Sequence, residues 1–423
     1  MDGMGAIVGD GVIGFRVWAP HADEVHVVGD FNGWDEDATP MASEDNGHWY
    51  AEVPGAHPGQ EYKYLLRVGE DRFHRVDPQV RQVTNSVGNG VIYDPWAFEW
   101  QGDEFSMPAH NESVIYELHV GSFARDPDGR PGDLYRAAER LDHLVDLGVN
   151  VVQLMPVAEF AGDQSWGYNP AHVFAVESSY GGPDALKTFV REAHRRGIAV
   201  IVDVVYNHFG PSDLATWQFD GWSEDGKGGI YFYNDWRSAT PWGDTRPDYG
   251  RGEVRQFIHD NALMWLREYR VDGLRYDMTP FIRSVSGSGD DLPEGYSLLK
   301  WINEAIRAEF PGKLLIAEDM HRDERITQVD ADGAAFHAQW DSSFVHPVRE
   351  AVITADDADR SMAEVIAAVG QRYNDDAFQR VIYTESHDEV ANVQTRVPAE
   401  IDEADPTGWY AQKRSTGGAA LVL

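Results

Sequence analysis

From residue 113 onward, short apolar runs alternate with stretches of helical period, and this rhythm narrows the possible folds more than any other feature. The apolar runs are Val114–Val120, Val149–Val157, Ile198–Val205, Gly273–Asp277, Leu314–Glu318, Ala334–Trp340 and Val381–Thr384. Between them, Ala137–Leu147, Asp184–Arg196, Val254–Tyr269 and Leu298–Phe310 carry apolar residues at helical spacing. Strands that are apolar throughout must be covered on both faces, as in a parallel sheet wrapped by helices. A doubly wound open sheet and a (β/α)8 barrel both satisfy this. Seven such runs, most with polar residues at their C-terminal ends, favour the barrel. Gly417–Leu423 reads as part of a helix and no eighth run is found. The expected domain, residues 113–423, is therefore an α/β domain of (β/α)8 TIM type lacking its eighth strand.

The first part of the chain has a different period. In residues 1–94, Tyr62, Tyr64, Leu66 and Val68 alternate with Lys63 and Arg67, and Trp49, Ala51 and Val53 alternate with Tyr50 and Glu52. Phe15–Trp18 and Val25–Val28 are similar, with turns expected at Asn32-Gly33, Asn46-Gly47 and Pro58-Gly59. Short strands at this spacing predict an all-β sandwich. Residues 95–112 read as a linker. One interval inside the second domain, residues 209–250, is rich in Gly, Trp, Tyr and Asp and has no helical period. Such an excursion at a strand's C-terminal end is expected to be a lid or substrate loop, with Trp217, Trp222, Tyr231, Tyr233 and Trp236 facing substrate.

Composition removes several function classes. There is no cysteine, so disulfides, thiolate metal sites and cysteine nucleophiles are excluded. The formal charge is −36, and only six of the 35 basic residues are lysine. So acidic a surface argues against nucleic acid or an anionic membrane as partner. It suits a protein kept soluble at high salt, where screening removes the self-repulsion. No apolar run is long enough to span a bilayer, and the N-terminus does not read as a signal peptide, so a cytoplasmic location is expected. The oligomeric state is not legible.

Polar residues cluster at four strand ends: Asp203-Val204-Val205-Tyr206-Asn207-His208, Arg275-Tyr276-Asp277, Glu318-Asp319 and Ser386-His387-Asp388. Arg275 and Asp277, two residues apart on a strand, leave the same face. An adjacent guanidinium keeps a carboxylate ionised, the state that a nucleophile on a sugar carbon requires. Strand ends of a barrel share one face, so these groups can meet. Cleavage of a glycosidic bond with retention needs two carboxyls about 5–5.5 Å apart, one as nucleophile and one as acid/base. Asp203, His208, His387 and Asp388 also have metal-ligand chemistry, but the imidazoles are isolated and Arg275 would repel a cation. No metal and no cofactor is expected.

At these residues the chain resembles the α-amylase superfamily, glycoside hydrolase family 13, with a further element in Gln153-Leu154-Met155-Pro156-Val157. Phe31-Asn32-Gly33-Trp34 and the sandwich around it resemble the starch- and glycogen-associated module that precedes the barrel in branching and debranching members. The resemblance implies Asp277 as nucleophile, Glu318 as general acid/base and Asp388 as the carboxylate that holds sugar hydroxyls and favours the distorted transition state. It implies that Arg275 fixes Asp277, that His208 and His387 bond the sugar, and that Tyr168 stacks beside it. Asp203 would be structural. The likeness allows calcium at Asn207, which this sequence does not itself require. Met278-Thr279 depart from the small apolar pair usual after the nucleophile. Ser386–Val390 and Phe336–Asp341 look like glycogen branching enzymes, whereas Tyr116–Val120 and Thr240–Asp244 look equally like maltooligosyl trehalose trehalohydrolases. The implied substrate is an α-glucan such as glycogen, starch or maltooligosaccharide, with branching favoured over hydrolysis. The superfamily's C-terminal β-domain has no counterpart here, which leaves open a non-catalytic α-glucan-binding protein on an incomplete barrel.

Overall fold

The computed structural model of the chain describes residues 1–125, 128–391 and 394–423. Nine short strands build the N-terminal module: β1 (Gly5–Gly9), β2 (Val12–Trp18), β3 (Glu24–Gly29), β4 (Ala42–Ser43), β5 (His48–Pro54), β6 (Glu61–Val68), β7 (Asp71–Arg75), β8 (Gln82–Val83) and β9 (Gly90–Val91). They form two antiparallel sheets, β1-β2-β5-β4 and β3-β6-β9-β8, with β7 added to β6. Alternation puts Tyr62, Tyr64 and Leu66 of β6 into the core with Phe15, Val25 and Val27. Asn46-Gly47 turns β4 into β5 with both residues at positive φ, 61° and 76°. Asn32-Gly33 does not make the expected hairpin turn. Asp30–Asn32 is a short helical turn, and the Asn32 side chain reaches back to Gly29 N–H and Val27 C=O, so an Asn-Gly signal has been used as a helix end.

In the second domain, β10 (Ile115–Leu118), β11 (Val151–Leu154), β12 (Ala158–Phe160), β13 (Pro170–Val176), β14 (Ala199–Val204), β15 (Gly273–Tyr276), β16 (Leu314–Ala317), β17 (Ala338–Trp340) and β18 (Arg380–Val381) follow. Seven of them form one parallel sheet in the order β10-β11-β14-β15-β16-β17-β18, while β12 and β13 pair as an outlying antiparallel ribbon. The order is sequential and its inner face packs Val151, Ala199, Ile201, Leu314, Ile316 and Trp340 together, as in an incomplete TIM barrel. Among the described residues no backbone hydrogen bond joins β10 to β18, so the barrel is open along that seam.

The strands are shorter than their apolar runs, and in β15 and β16 the polar residues at the C-terminal ends, Asp277 and Glu318, lie beyond the strand. Three helices fall within a few residues of expectation, at Gly182–His194, Gly252–Arg267 and Pro293–Glu309. The one expected over Ala137–Leu147 is instead two pieces, Leu134–Ala138 and Leu141–Asp146. The C-terminal helix is longer than the sequence suggests, Trp409–Val422.

The module is fastened to the barrel by named contacts. Arg81 pairs with buried Glu268, Nη2 to Oε1 at 2.7 Å. Arg75 donates to the backbone carbonyls of Gln218 and Phe219 in the long loop, and His21 stacks on Trp222 of that loop at 4.8 Å. The first half of the linker, Pro95 to Asp103, runs along the helix Gly182–His194, which holds it through Lys187, Arg191 and His194.

Candidate active site

Register brings the first three groups of the site together. In the β14–β15 ladder Asp203 lies directly opposite Arg275, and in β15–β16 Tyr276 lies opposite Ala317. The residues one step beyond, Asp277 and Glu318, are therefore neighbours over the barrel mouth. Fully buried Arg275 is the hub: its Nη1 donates to Asp203 Oδ1 and Oδ2 at 2.9 and 2.7 Å and to Asp277 Oδ1 at 3.0 Å. Its Nη2 is 2.7 Å from Glu318 Oε2 but out of line with the N–H bonds, so this is a close contact of charge with carboxyl dipole rather than a hydrogen bond. The indole of Trp340 covers the guanidinium at 4.4 Å.

Three buried carboxyls share one cation. Their combined charge exceeds what Arg275 neutralises, so the cluster retains a proton at neutral pH. Burial and the charges of Asp277 and Asp388 push Glu318 well above the ordinary carboxylate range against the pull of Arg275. Burial also pushes Asp203 up. Asp203, however, accepts two bonds from Arg275 and one from the Tyr168 hydroxyl at 2.7 Å, all of which need an acceptor. Glu318 accepts only the Met278 N–H, at 2.9 Å on Oε2, which leaves Oε1 for the proton. The cluster thus sets Asp277, held by Arg275 and by Asn207 Nδ2 at 3.0 Å, beside a Glu318 that burial keeps protonated above the ordinary carboxylate range.

The residues after Asp277 support this pairing. Met278 has φ 38°, a left-handed conformation that bulky residues rarely adopt, and the turn delivers its N–H to Glu318. Thr279 donates its N–H and Oγ1 to the Glu318 carbonyl and reaches Asp319, itself paired with Arg283. The pair that departs from the family pattern thus grips the strand carrying the acid.

The remaining groups stand around the hub. His208, held down from its ordinary pKa by burial, lies 2.9 Å from the Tyr168 carbonyl and 3.0 Å from Asn207 Oδ1. Tyr168 stacks on His387 at 4.9 Å, and its phenol stays protonated because burial and Asp203 oppose ionisation. His387 Nε2 is 3.6 Å from Asp388, whose side chain is 45% exposed and so is the group of this set open to a ligand. Every site residue expected from the sequence therefore falls in one cluster. Asn207 has its amide committed to Asp277 and His208.

Two features escaped sequence reasoning. Glu117, at the end of β10, grips His387 from the other side of the seam, with Oε1 2.8 Å from Nδ1 and Oε2 accepting the backbone N–H at 2.7 Å. In the long loop the expectation for the aromatics needs correction. Tyr231 and Tyr233 are buried in the main core, where Tyr231 meets Trp18 of the module and Phe257 of the helix Gly252–Arg267, while Trp217 packs on Phe232 and Trp222 stacks on His21, so these four root the loop. Trp236 is exposed without a ring contact among the described residues. Trp242 is the loop aromatic at the site, stacked on His208 at 4.6 Å. A cavity of about 630 Å³, lined by Trp166, Tyr168, His119 and Arg125 among others, opens beside Tyr168.

With this geometry in hand, comparison with known proteins gives a consistent answer. Residues 3–97 match the family described as Carbohydrate-binding module 48 (Isoamylase N-terminal domain), and residues 114–225 match Alpha amylase, catalytic domain. The chain is 34% identical over 363 residues to the 1,4-alpha-glucan branching enzyme GlgB of Pseudoalteromonas atlantica, covering 78% of this chain and 48% of that protein. It is 34% identical to the protein of the same name from Corynebacterium jeikeium, covering 94% of this chain and 57% of the other. The chain thus spans about half the length of these relatives. Among solved structures, a putative alpha amylase from Salmonella typhimurium superposes with a TM-score of 0.74 at 27% identity, over 92% of this chain and 67% of the other. A carbohydrate-binding module 48 domain, an incomplete parallel barrel and strand-end carboxyls gathered on one arginine agree with these matches, and the chain belongs to the α-amylase superfamily.

Proposed function

We propose that this chain is the module and catalytic barrel of a retaining α-glucan transferase that moves an α-1,4-linked chain to a 6-hydroxyl, the branching reaction. The observation that carries this reading is the shared hub: one buried guanidinium holding Asp277 and Glu318 together, with Glu318 raised above the ordinary carboxylate range by burial. Asp277 attacks the anomeric carbon and the glycosidic C–O bond breaks. Glu318 gives its proton to the departing 4-oxygen, leaving a glycosyl ester on Asp277. Glu318, now a carboxylate, takes the proton of an incoming 6-hydroxyl as that oxygen displaces Asp277. Asp388, His387 and His208 bond the hydroxyls of the sugar at the cleavage point, and Tyr168 stacks beside it. The names of the relatives favour transfer to a sugar hydroxyl over transfer to water. The acidic surface fits a cytoplasm of high salt content, and the same reading places the protein there.

Incubation with amylose tests the proposal. Branching shifts the iodine colour with little new reducing sugar, hydrolysis releases much reducing sugar, and a binding protein does neither. A hydrolytic reading is kept alive by the structural neighbours, which include a putative amylase and a pullulanase. Release of trehalose from a trehalose-capped maltooligosaccharide would mark the trehalohydrolase variant. Asp277→Asn should reduce turnover to background in a variant that still folds, and an active variant would remove Asp277 from its role.

A further inference from the structure

We infer that Glu117 is a positioning residue that holds His387, and through it Asp388, over the carboxyl cluster across a seam that the backbone leaves open. The inference rests on the reading of the site just given and adds a residue to it. Asp203, Asp277 and Glu318 stand on adjacent strands whose ladders fix their spacing. His387 and Asp388 have no such support on one side. They follow β18, which has only two residues and a ladder partner in β17 alone, and the edge facing β10 is unpaired among the described residues. A cavity of about 590 Å³ occupies the seam, lined by Glu117, Gln153, Tyr383 and Ser386 among others. Side-chain bonds between the β10 and β18 segments cross it at opposite ends: His110 to the Phe378 carbonyl at 2.6 Å, and the double contact of Glu117 with His387.

The second crossing is built to fix orientation. One carboxylate takes both the backbone N–H and the ring Nδ1 of the same residue, so it sets the position of the main chain and the plane of the ring together. It also sets the ring's protonation, because Oε1 can only accept, so Nδ1 carries a proton and Nε2 is aimed towards Asp388. Burial and the charge of Arg275 oppose a positive ring, while Glu117 and Asp388 favour it, and the net shift is upward. Tyr168 stacks on one side of the ring, with Trp166 edge-on at 5.5 Å and Trp340 at 6.3 Å. Glu117 is correspondingly held below the usual carboxylate range, where the contacts to His387 outweigh burial. A strand-end carboxylate with a side chain 19% exposed could be a surface group of no consequence, but its two bonds end on a residue 270 positions away in the site.

Two substitutions separate placement from charge. In Glu117→Gln the amide oxygen can still accept the backbone N–H and the NH2 can donate to an unprotonated Nδ1, so the ring stays in place and loses its charge. In Glu117→Ala both supports go. Imidazole NMR of the full chain, with the His387 signal assigned by its loss in His387→Asn, should show His387 titrating at lower pH in Glu117→Gln than in the parent. With amylose, kcat/KM should fall about 10- to 100-fold in Glu117→Ala, the worth of a charge-assisted bond. Glu117→Gln should recover most of that loss and move the pH profile. A His387 titration unchanged in Glu117→Gln, or parental kcat/KM in Glu117→Ala, would overturn the inference. Asp277→Asn run alongside keeps the two readings apart. If it stays active the nucleophile is wrong, whereas an inactive Asp277→Asn with unaffected Glu117 variants leaves the mechanism standing and removes Glu117 alone. Should Glu117→Ala fail to fold, the Glu117→Gln titration decides.

Discussion

The two halves of the catalytic face are held in different ways. On β14, β15 and β16, Asp203, Asp277 and Glu318 are carried by continuous parallel ladders and locked by a guanidinium with no exposed surface. On the seventh strand, His387 and Asp388 extend from a two-residue strand beside an open edge, and Glu117 from the opposite edge holds His387 by two bonds while Tyr168 stacks on its ring. Backbone geometry secures Asp203, Asp277 and Glu318, the set that includes the proposed nucleophile and acid. Side-chain contacts secure His387 beside Asp388, the proposed sugar-binding pair. The first arrangement is rigid and costly to disturb. The second can be moved with little effect on the fold, so the halves should respond to perturbation in opposite ways.

The largest contrast should come from the hub. Arg275→Met leaves three buried carboxyls without their cation, and breaking a buried pair in this way costs about 3–5 kcal/mol. Urea denaturation should show that loss as a lower midpoint. Asp388→Asn at the half-exposed end should stay within about 0.5 kcal/mol of the parent while turnover falls. Equal stability losses in the two variants would mean that the halves are not built differently after all.

Acid and alkali should pull the halves apart next. Glu318 is raised in the folded state, so its contribution to stability is full below the ordinary carboxylate range and is lost as pH rises through its folded value. Glu117 is lowered, so its contribution is present above that range and is lost as pH falls through its folded value. His387 is raised, and its share is lost with rising pH through its own folded value. Unfolding followed across pH should show alkaline destabilisation blunted in Glu318→Gln and acid destabilisation blunted in Glu117→Gln. The alkaline limb of kcat/KM should also follow the loss of the Glu318 proton, since the acid must be protonated to act. An alkaline limb unchanged when the Asp388 charge is removed would argue against the cluster that raises Glu318.

What could be read from the sequence follows the same division. Asp203, Arg275, Asp277 and Glu318 sit at the ends of apolar runs, and strand alternation alone aims Arg275 and Asp277 together. The incomplete barrel was legible because seven apolar runs, most ending in polar residues, alternate with helical stretches and no eighth follows. Glu117 was not, since a carboxylate at a strand end looks the same whether it faces solvent or a histidine 270 residues away. The break between Leu134–Ala138 and Leu141–Asp146 was hidden too, because Glu139-Arg140 contains no residue that ends a helix by itself. In the long loop, the lack of a period that marked it as irregular also removed any clue to which aromatics point inward. Tyr231 and Tyr233 are buried in the main core, and Trp242 alone of the loop's aromatics meets a site residue through ring stacking.

That last distinction gives the smallest expected effect. Trp242 lies face to face with His208 at 4.6 Å and 16°, and also meets Phe281 edge-on at 5.1 Å, so it ties the loop to the ladder-built half of the site. A ring pair of this kind is worth about 0.5–1.5 kcal/mol beyond its buried area. Trp242→Ala should therefore raise KM for amylose several-fold, with kcat nearly kept, because His208 retains its contacts to Asn207 and the Tyr168 carbonyl. Trp236, six residues earlier and 64% exposed, provides the control, and Trp236→Ala should leave both constants unchanged. If Trp236→Ala raises KM as much as Trp242→Ala, the loop grips substrate along its outer edge. The sugar-binding half of the site would then extend well beyond the barrel mouth, and Glu117 would steady only its inner end.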